Sequence, residues 1–309
     1  MLTLVFSKDR ALQLDACLAS FFRQAQDGSA AEIVVLYAAS SQRFSGQYAE
    51  LEDFYGGRVR FVMEADFRSR VRESLRSQGH ANPGLVSRLL QRLAGKQTYP
   101  PESSMGLEDC VLFLVDDTLF VRPFRLGDAQ EALAAHHDAL GVSLRLGANT
   151  ILSYALRREQ SLPKFVEAGY GFLKYSWTAA DGDFAYPLEV SSSMYRLSMI
   201  APLVRELRFS NPNTLESAMA LQAGRLARDH PGMLCAGCSI AFSAPLNRVQ
   251  RVFENRAGND PQWSIERLAW EFDQGRRIDV TTLDGLVPSG AHEEVQLRFA
   301  PRRESHAVP

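Results

Sequence analysis

The run Cys110-Val111-Leu112-Phe113-Leu114-Val115, followed at once by Asp116 and Asp117, constrains this chain more than any other stretch. Consecutive apolar or sulfur-bearing residues without polar alternation read as a strand buried on both faces, as in a parallel sheet covered by helices. The two carboxylates stand where that strand should end. In open α/β sheets, ligands bind in the crevice outside the carboxyl ends of the strands. Adjacent like charges there repel unless a cation or a hydrogen-bonding ligand compensates them. Hard oxygen ligands favour Mg²⁺ or Mn²⁺, ions commonly held by one or two carboxylates plus substrate phosphates. The pair therefore points to a metal–diphosphate site, against the plainer reading of a solvated acidic turn.

The segments before this strand alternate. Leu2–Phe6, Ile33–Tyr37 and Val59–Met63 read as strands; Leu14, Leu18, Phe21 and Phe22 recur at helical spacing, and Gln47–Phe54 reads as a short helix. Strands separated by helices imply βαβ units with right-handed crossovers and a parallel sheet. A helical insertion follows, with Leu85, Val86, Leu89, Leu90 and Leu93 as an apolar stripe. From Arg58 to Lys96 there are nine basic and three acidic residues. They read as a solvated helix face or as a cationic wall toward an anionic donor or membrane surface. Beyond Asp117 the pattern is mixed. Gly141–Leu146 and Tyr186–Val190 resemble strands, Asn213–Gln222 and Trp263–Phe272 helices. The expected organisation is a donor half over residues 1–120, an acceptor-side half of the same compact unit over 121–280, and a mobile tail over 281–309.

A net charge of -2 gives no general attraction to nucleic acid, and no such partner is expected. No apolar run approaches the roughly 18 residues of a membrane span, so the expected location is cytoplasmic, with peripheral contact at the inner membrane face left open. Cys235-Ala236-Gly237-Cys238 has the spacing of a metal knuckle but lacks a second Cys or His pair, so ordinary reduced cysteines are expected.

Four stretches, in this order, resemble glycosyltransferases of the GT-A fold, in particular the family 2-like bacterial group acting on surface polysaccharides. Leu4-Val5-Phe6-Ser7-Lys8-Asp9-Arg10 resembles the first strand and donor-binding loop, and Val115-Asp116-Asp117 the DxD-type metal motif in its x-D-D form. Asn211-Pro212-Asn213-Thr214-Leu215-Glu216 falls where inverting members place their catalytic carboxylate, and Leu246-Asn247-Arg248-Val249-Gln250 resembles a late motif of the fold. The resemblance implies an α/β, GT-A-like nucleotide-binding sheet with helices on both faces and a mixed acceptor-side half. It implies a hexosyltransferase-type enzyme moving sugar from a nucleotide-sugar donor to a glycan or lipid-linked glycan acceptor, with Mn²⁺ or Mg²⁺, in polysaccharide biosynthesis. Thr118 stands where many members carry a further Asp, leaving Asp117 as the main metal ligand. The Gln-x-x-Arg-Trp motif of processive synthases is absent, which favours single additions. A late metal-ligating His is common in relatives; His292, in the expected tail, is not assigned that role.

The other candidates carry two readings each. Asp116 would bind the donor ribose or orient the ligands of the ion. Glu216 would take the acceptor proton as general base, or close a capping box as N3 behind Asn213; Asp181 and Asp183 are its substitutes. Ser7, Asp9 and Arg10 would meet the donor, Asp9 at a base edge and Arg10 at phosphate, or else start the next helix. Tyr37 would stack on the base or pack at the sheet edge. Arg145 would reach the diphosphate or point to solvent by alternation.

Competing classes fit less well. A dehalogenase-type phosphatase needs a nucleophilic Asp two residues before Asp117, where Val115 stands. A sugar nucleotidyltransferase should open on a glycine-rich loop, and residues 1–14 contain no glycine. A non-catalytic nucleotide- or polysaccharide-binding protein with a degenerate GT-A site is the alternative.

Overall fold

The computed structural model describes residues 1–77, 109–247 and 263–302. The stripe from Leu85 to Leu93, the basic residues Arg88, Arg92 and Lys96, and Arg248-Val249-Gln250 lie outside them. The chain opens with β1 (Leu2–Lys8), α1 (Ala11–Gln24), β2 (Glu32–Ala38), α2 (Gln42–Tyr55), β3 (Val59–Met63), α3 (Phe67–Ser77) and β4 (Cys110–Val115). There follow β5 (Thr118–Phe120), α4 (Leu126–Ala135), β6 (Ala139–Ser143), β7 (Val166–Gly169), β8 (Phe172–Ser176), β9 (Ser193–Arg196), α5 (Leu197–Glu206), α6 (Pro212–Ala220) and β10 (Gly232–Ala236). The last elements are β11 (Ala241–Ser243), α7 (Ile265–Asp273), β12 (Arg276–Ile278) and β13 (Phe299–Pro301).

A nine-stranded sheet runs in the order β3-β2-β1-β4-β9-β6-β10-β8-β7. Its first four strands are parallel, as the alternation implies; β9 then lies antiparallel between β4 and β6, and β10 runs parallel to β6. Burial on both faces explains the unbroken apolar runs. Cys110, Leu112 and Leu114 pack into one core with α1, α2, α4 and α7, while Val111 and Phe113 face a second core with α3, α5 and α6. Period-two alternation thus sends one strand into two cores. The basic residues described from the insertion and its approach are engaged by the fold: Arg58 covers the Phe22 ring at 3.8 Å, Arg70 pairs with Glu73, and Arg72 donates to the Leu207 carbonyl.

Two expectations fail. Tyr186–Val190 is not a strand, because Pro187 has no N–H to give a ladder and the Glu189 carboxylate takes the N–H groups of Ser191 and Ser192. Residues 281–302 are not a free tail. Gly285 N–H donates to Val121 O at 2.7 Å, Asp284 accepts from Arg23 and Gln24, β13 pairs with β12, and Leu283 and Leu297 are buried. The segment lacks helical or strand periodicity but satisfies its backbone on the main body. Among the described residues no helix is long and apolar enough to cross a membrane.

Candidate active site

The carboxyl ends of β1, β2 and β4 meet at one edge. Chain reversal begins there with Asp9, whose φ of 55° is the left-handed conformation that Asp tolerates better than most residues. Its Oδ1 accepts from Ser40 N–H at 2.7 Å and so clasps the end of β1 to the loop after β2. Asp9 and Arg10 are not side-chain caps of α1, which has none. Ser7 Oγ donates to Asp116 Oδ2 at 2.8 Å and shares a 2.7 Å hydrogen bond with the Tyr48 hydroxyl. Arg10 Nη1 lies 2.9 Å from Asp116 Oδ1, and Nη2 donates to Asp117 Oδ2 at 3.0 Å. Burial pushes the Asp116 carboxyl upward against the pull of Arg10, while the Asp117 charge adds to the rise. Asp116 is the inner member, its side chain 4% exposed; Asp117, at 19%, faces the crevice. Tyr37 packs its ring on Tyr48 at 4.4 Å between centroids, the edge-packed reading.

A second wall rises from β6, β9 and α6. Arg145 follows β6 and, contrary to simple alternation, does not point to solvent. It is buried, with Nη2 2.9 Å from Glu189 and Nη1 donating to Ser243 Oγ at 3.0 Å and facing His292 Nε2 at 3.3 Å. Arginine only donates, so His292 Nε2 accepts and Nδ1 carries the hydrogen. Burial and Arg145 hold the imidazole down at about 3, hence neutral, and its buried Nδ1 has no partner among the described residues. Asp117 exerts a favourable charge on this ring, placing both in one neighbourhood. His292 therefore carries a buried N–H donor that no other described residue satisfies.

Glu216 sits in the first turns of α6, but not as its cap. Asn211 is the N-cap, with Pro212 at N1, and Thr214 closes the box: Thr214 N–H donates to Asn211 Oδ1 and Asn211 N–H to Thr214 Oγ1, both at 3.0 Å. The Asn213–Glu216 capping box is thus replaced by one two residues earlier. The Glu216 carboxylate is free to turn inward, where it accepts from Val190 N–H at 3.0 Å. Burial and the Glu189 charge push it up to about 7. Of its substitutes, Asp181 is tied to Arg158 at 2.6 Å, which holds it well below the carboxylate range. Asp183 accepts from Ser153 Oγ at 2.8 Å and is raised by burial.

The two walls join. Thr118 Oγ1, directly after Asp117, donates to Ser191 O at 2.7 Å, and the preceding residue, Val190, gives its N–H to Glu216; on the same wall Arg145 links His292 to Glu189. Glu189 and His292 were not assigned from sequence; a buried apolar neighbourhood around Glu189 and the late position of His292 were the available signals. Among the described residues no three His, Cys, Asp or Glu side chains cluster as a metal cage. The crevice instead offers one accessible carboxylate, Asp117, in a pair too charged to stand uncompensated. That suits an ion completed by diphosphate oxygens and water, with Arg10 yielding its contact. Cys235 is buried and Cys238 half-buried, and neither is in a disulfide.

No protein-family model matches the chain. The bifunctional glycosyltransferase pgtA of Dictyostelium discoideum is 24% identical over 276 residues, covering 81% of this chain and 32% of that protein. The chain thus spans about a third of the length of this curated relative. Among solved structures, S. aureus TarS aligns with TM-score 0.46 and 12% identity over 78% of this chain and 36% of that one. LgtC, described as a galactosyltransferase with donor and acceptor sugar analogues, aligns with TM-score 0.33 and 14% identity over 93% and 98% of the two chains. The pgtA relative bears the name of the kind of protein that the sequence resembles, and this chain has an α/β sheet flanked by helices on both faces.

Proposed function

We propose that this chain is an inverting, non-processive glycosyltransferase of the GT-A type, taking a nucleotide-sugar donor and a glycan or lipid-linked glycan acceptor in polysaccharide assembly. The observation that carries this reading is Glu216: a carboxylate released from helix capping, raised to about 7, and joined by a continuous set of contacts to the acidic pair at the end of β4.

The donor diphosphate lies at the carboxyl edge of β1 and β4. Asp117 would hold Mn²⁺ or Mg²⁺ there, and the bound ion supplies neutralisation of the charge that builds on the departing diphosphate. Asp116, fixed by Ser7, keeps the pair in register, and Arg10 turns from the carboxylates toward phosphate. The neutral His292 Nδ1–H faces an anion as donor. On the opposite wall Glu216, in its ionised form, accepts the acceptor hydroxyl proton. The acceptor oxygen bonds to the anomeric carbon while the carbon–phosphate oxygen bond breaks, and the nucleoside diphosphate leaves. A base whose proton affinity matches neutral pH combines the right protonation state with driving force. With this reading goes a cytoplasmic location, with peripheral contact at the inner membrane face left open.

A panel of nucleotide sugars, with and without Mn²⁺, tests the reading. Release of nucleoside diphosphate with sugar transfer or slow donor hydrolysis is the expected result. Stabilisation by a nucleotide sugar without any turnover would leave the alternative, a binding protein with a degenerate site.

A further inference from the structure

A carboxylate that meets neither donor nor acceptor in this scheme lies at the centre of the base wall. Glu189 is 6% exposed, and both its oxygens are engaged. Oε2 accepts from Arg145 Nη2 at 2.9 Å, Ser191 N–H at 2.5 Å and Ser192 N–H at 3.2 Å. Oε1 accepts from Ser192 N–H at 3.3 Å and from the Ser193 hydroxyl. The backbone around it is equally fixed: the Tyr195 hydroxyl donates to the carbonyls of Pro187 and Glu189, both at 2.8 Å. Tyr195 gains that position because residue 141 is glycine; a Cβ there would stand 2.5 Å from the Tyr195 ring. A buried carboxylate is costly to desolvate, and a serine turn can be held by water or neutral side chains instead.

Resting on the reading of Glu216 as base, we propose that Glu189 is a positioning residue for it. Its carboxylate folds the 189–193 turn that delivers the Val190 N–H to Glu216, and it engages the Arg145 guanidinium that would otherwise act on Glu216 unopposed. Burial is the largest influence on Glu216. Glu189 raises its proton affinity further, while the Val190 N–H, the Arg145 charge and the Tyr186 hydroxyl lower it. Glu189 and Arg145 thus oppose each other, and their pairing tunes the pH at which the base is ready.

The two partners should move Glu216 in opposite directions. In protein carrying ¹³C-labelled glutamate, Glu189→Gln removes the raising charge and leaves Arg145 uncompensated, so the Glu216 titration should fall by roughly one pH unit. Arg145→Met removes the lowering charge, and the titration should rise. The acidic limb of kcat/KM should follow both shifts, with donor KM little changed in Glu189→Gln. A role confined to holding the turn would alter thermal stability and leave the titration in place. Unmoved titrations, or shifts of the same sign in both variants, overturn the proposal; if Glu189→Gln does not fold, Arg145→Met decides alone. The titration needs no substrate. A chain that turns over no nucleotide sugar would lose the transfer reading while the coupling to Glu189 is still measured.

Discussion

Arg10 donates to Asp117 at 3.0 Å while its other terminal nitrogen lies 2.9 Å from Asp116, so one guanidinium spans the whole acidic pair. The sequence reading sent Arg10 to phosphate; the fold gives it first to the carboxylates. A divalent ion bound at Asp117, as proposed, would have to compete with this guanidinium. Removing one partner of a buried ion pair leaves the other charge uncompensated, typically at about 3–5 kcal/mol. Arg10→Met should therefore unfold at lower temperature. Mn²⁺ should restore more of the lost midpoint in that variant than it adds to the unaltered protein. Thermal denaturation with and without Mn²⁺ reads both effects, and an equal response in the two proteins would remove the competition.

Asp117 is the outer carboxylate and carries the metal in this scheme. Asp117→Ala should keep the fold, because its side chain is partly exposed and its backbone anchor, Ala244 N–H to Asp117 O at 2.8 Å, is untouched. Metal-enhanced nucleotide binding should disappear. Titration calorimetry with UDP and GDP checks this: equal binding with and without Mn²⁺ in the unaltered protein would end the assignment.

Legibility followed the range of the interactions. β1, β2 and the core of β4 were readable because a strand buried on both faces must be apolar throughout, and that constraint is local. The acidic pair was readable for the same reason, as a break in such a run. The α6 cap was misplaced because Asn211 and Asn213 both qualify by type; Pro212, favoured at N1, is the residue that decides for Asn211. Arg145 carried no local sign of its partners, since Glu189, Ser243 and His292 arrive from three distant segments. The packed segment 281–302 was opaque because its backbone is satisfied by β11, β12 and the loop after β5 rather than by itself.

Asp181, once an alternative base, has its carboxylate committed to Arg158 on the surface. Asp181→Asn should leave turnover and the unfolding midpoint essentially unchanged, since exposed ion pairs contribute little. Asp183 is different: half-buried and raised, it has a buried Oδ2 without a partner among the described residues, and it feels the charges of Arg145 and Glu189. A loss of activity in Asp181→Asn would reopen the assignment of the base on this side of the crevice.

Glu216 is the most exacting case, because it links rate and stability through one proton. Its folded carboxyl titrates at about 7, against the ordinary 4.5. A raised carboxyl pKa means that the folded state holds the proton more tightly than the unfolded chain. The resulting stabilisation is complete below 4.5 and is lost as pH rises to about 7. Glu216→Gln cannot ionise, so its stability relative to the unaltered protein should improve across that window and level off above it. Denaturant unfolding at a series of pH values measures the trend, and a flat difference would contradict the raised value. Activity should respond differently. In the unaltered protein kcat/KM should fall on the acid side of about 7 as the base becomes protonated. Glu216→Gln should bind donor normally yet lose roughly 10²–10⁴ in rate, the usual contribution of a general base. Because Asn211 and Thr214 cap the helix without it, that loss cannot be assigned to a frayed α6. Near-normal transfer by a folded Glu216→Gln variant would take Glu216 out of the mechanism and send the search to Asp183.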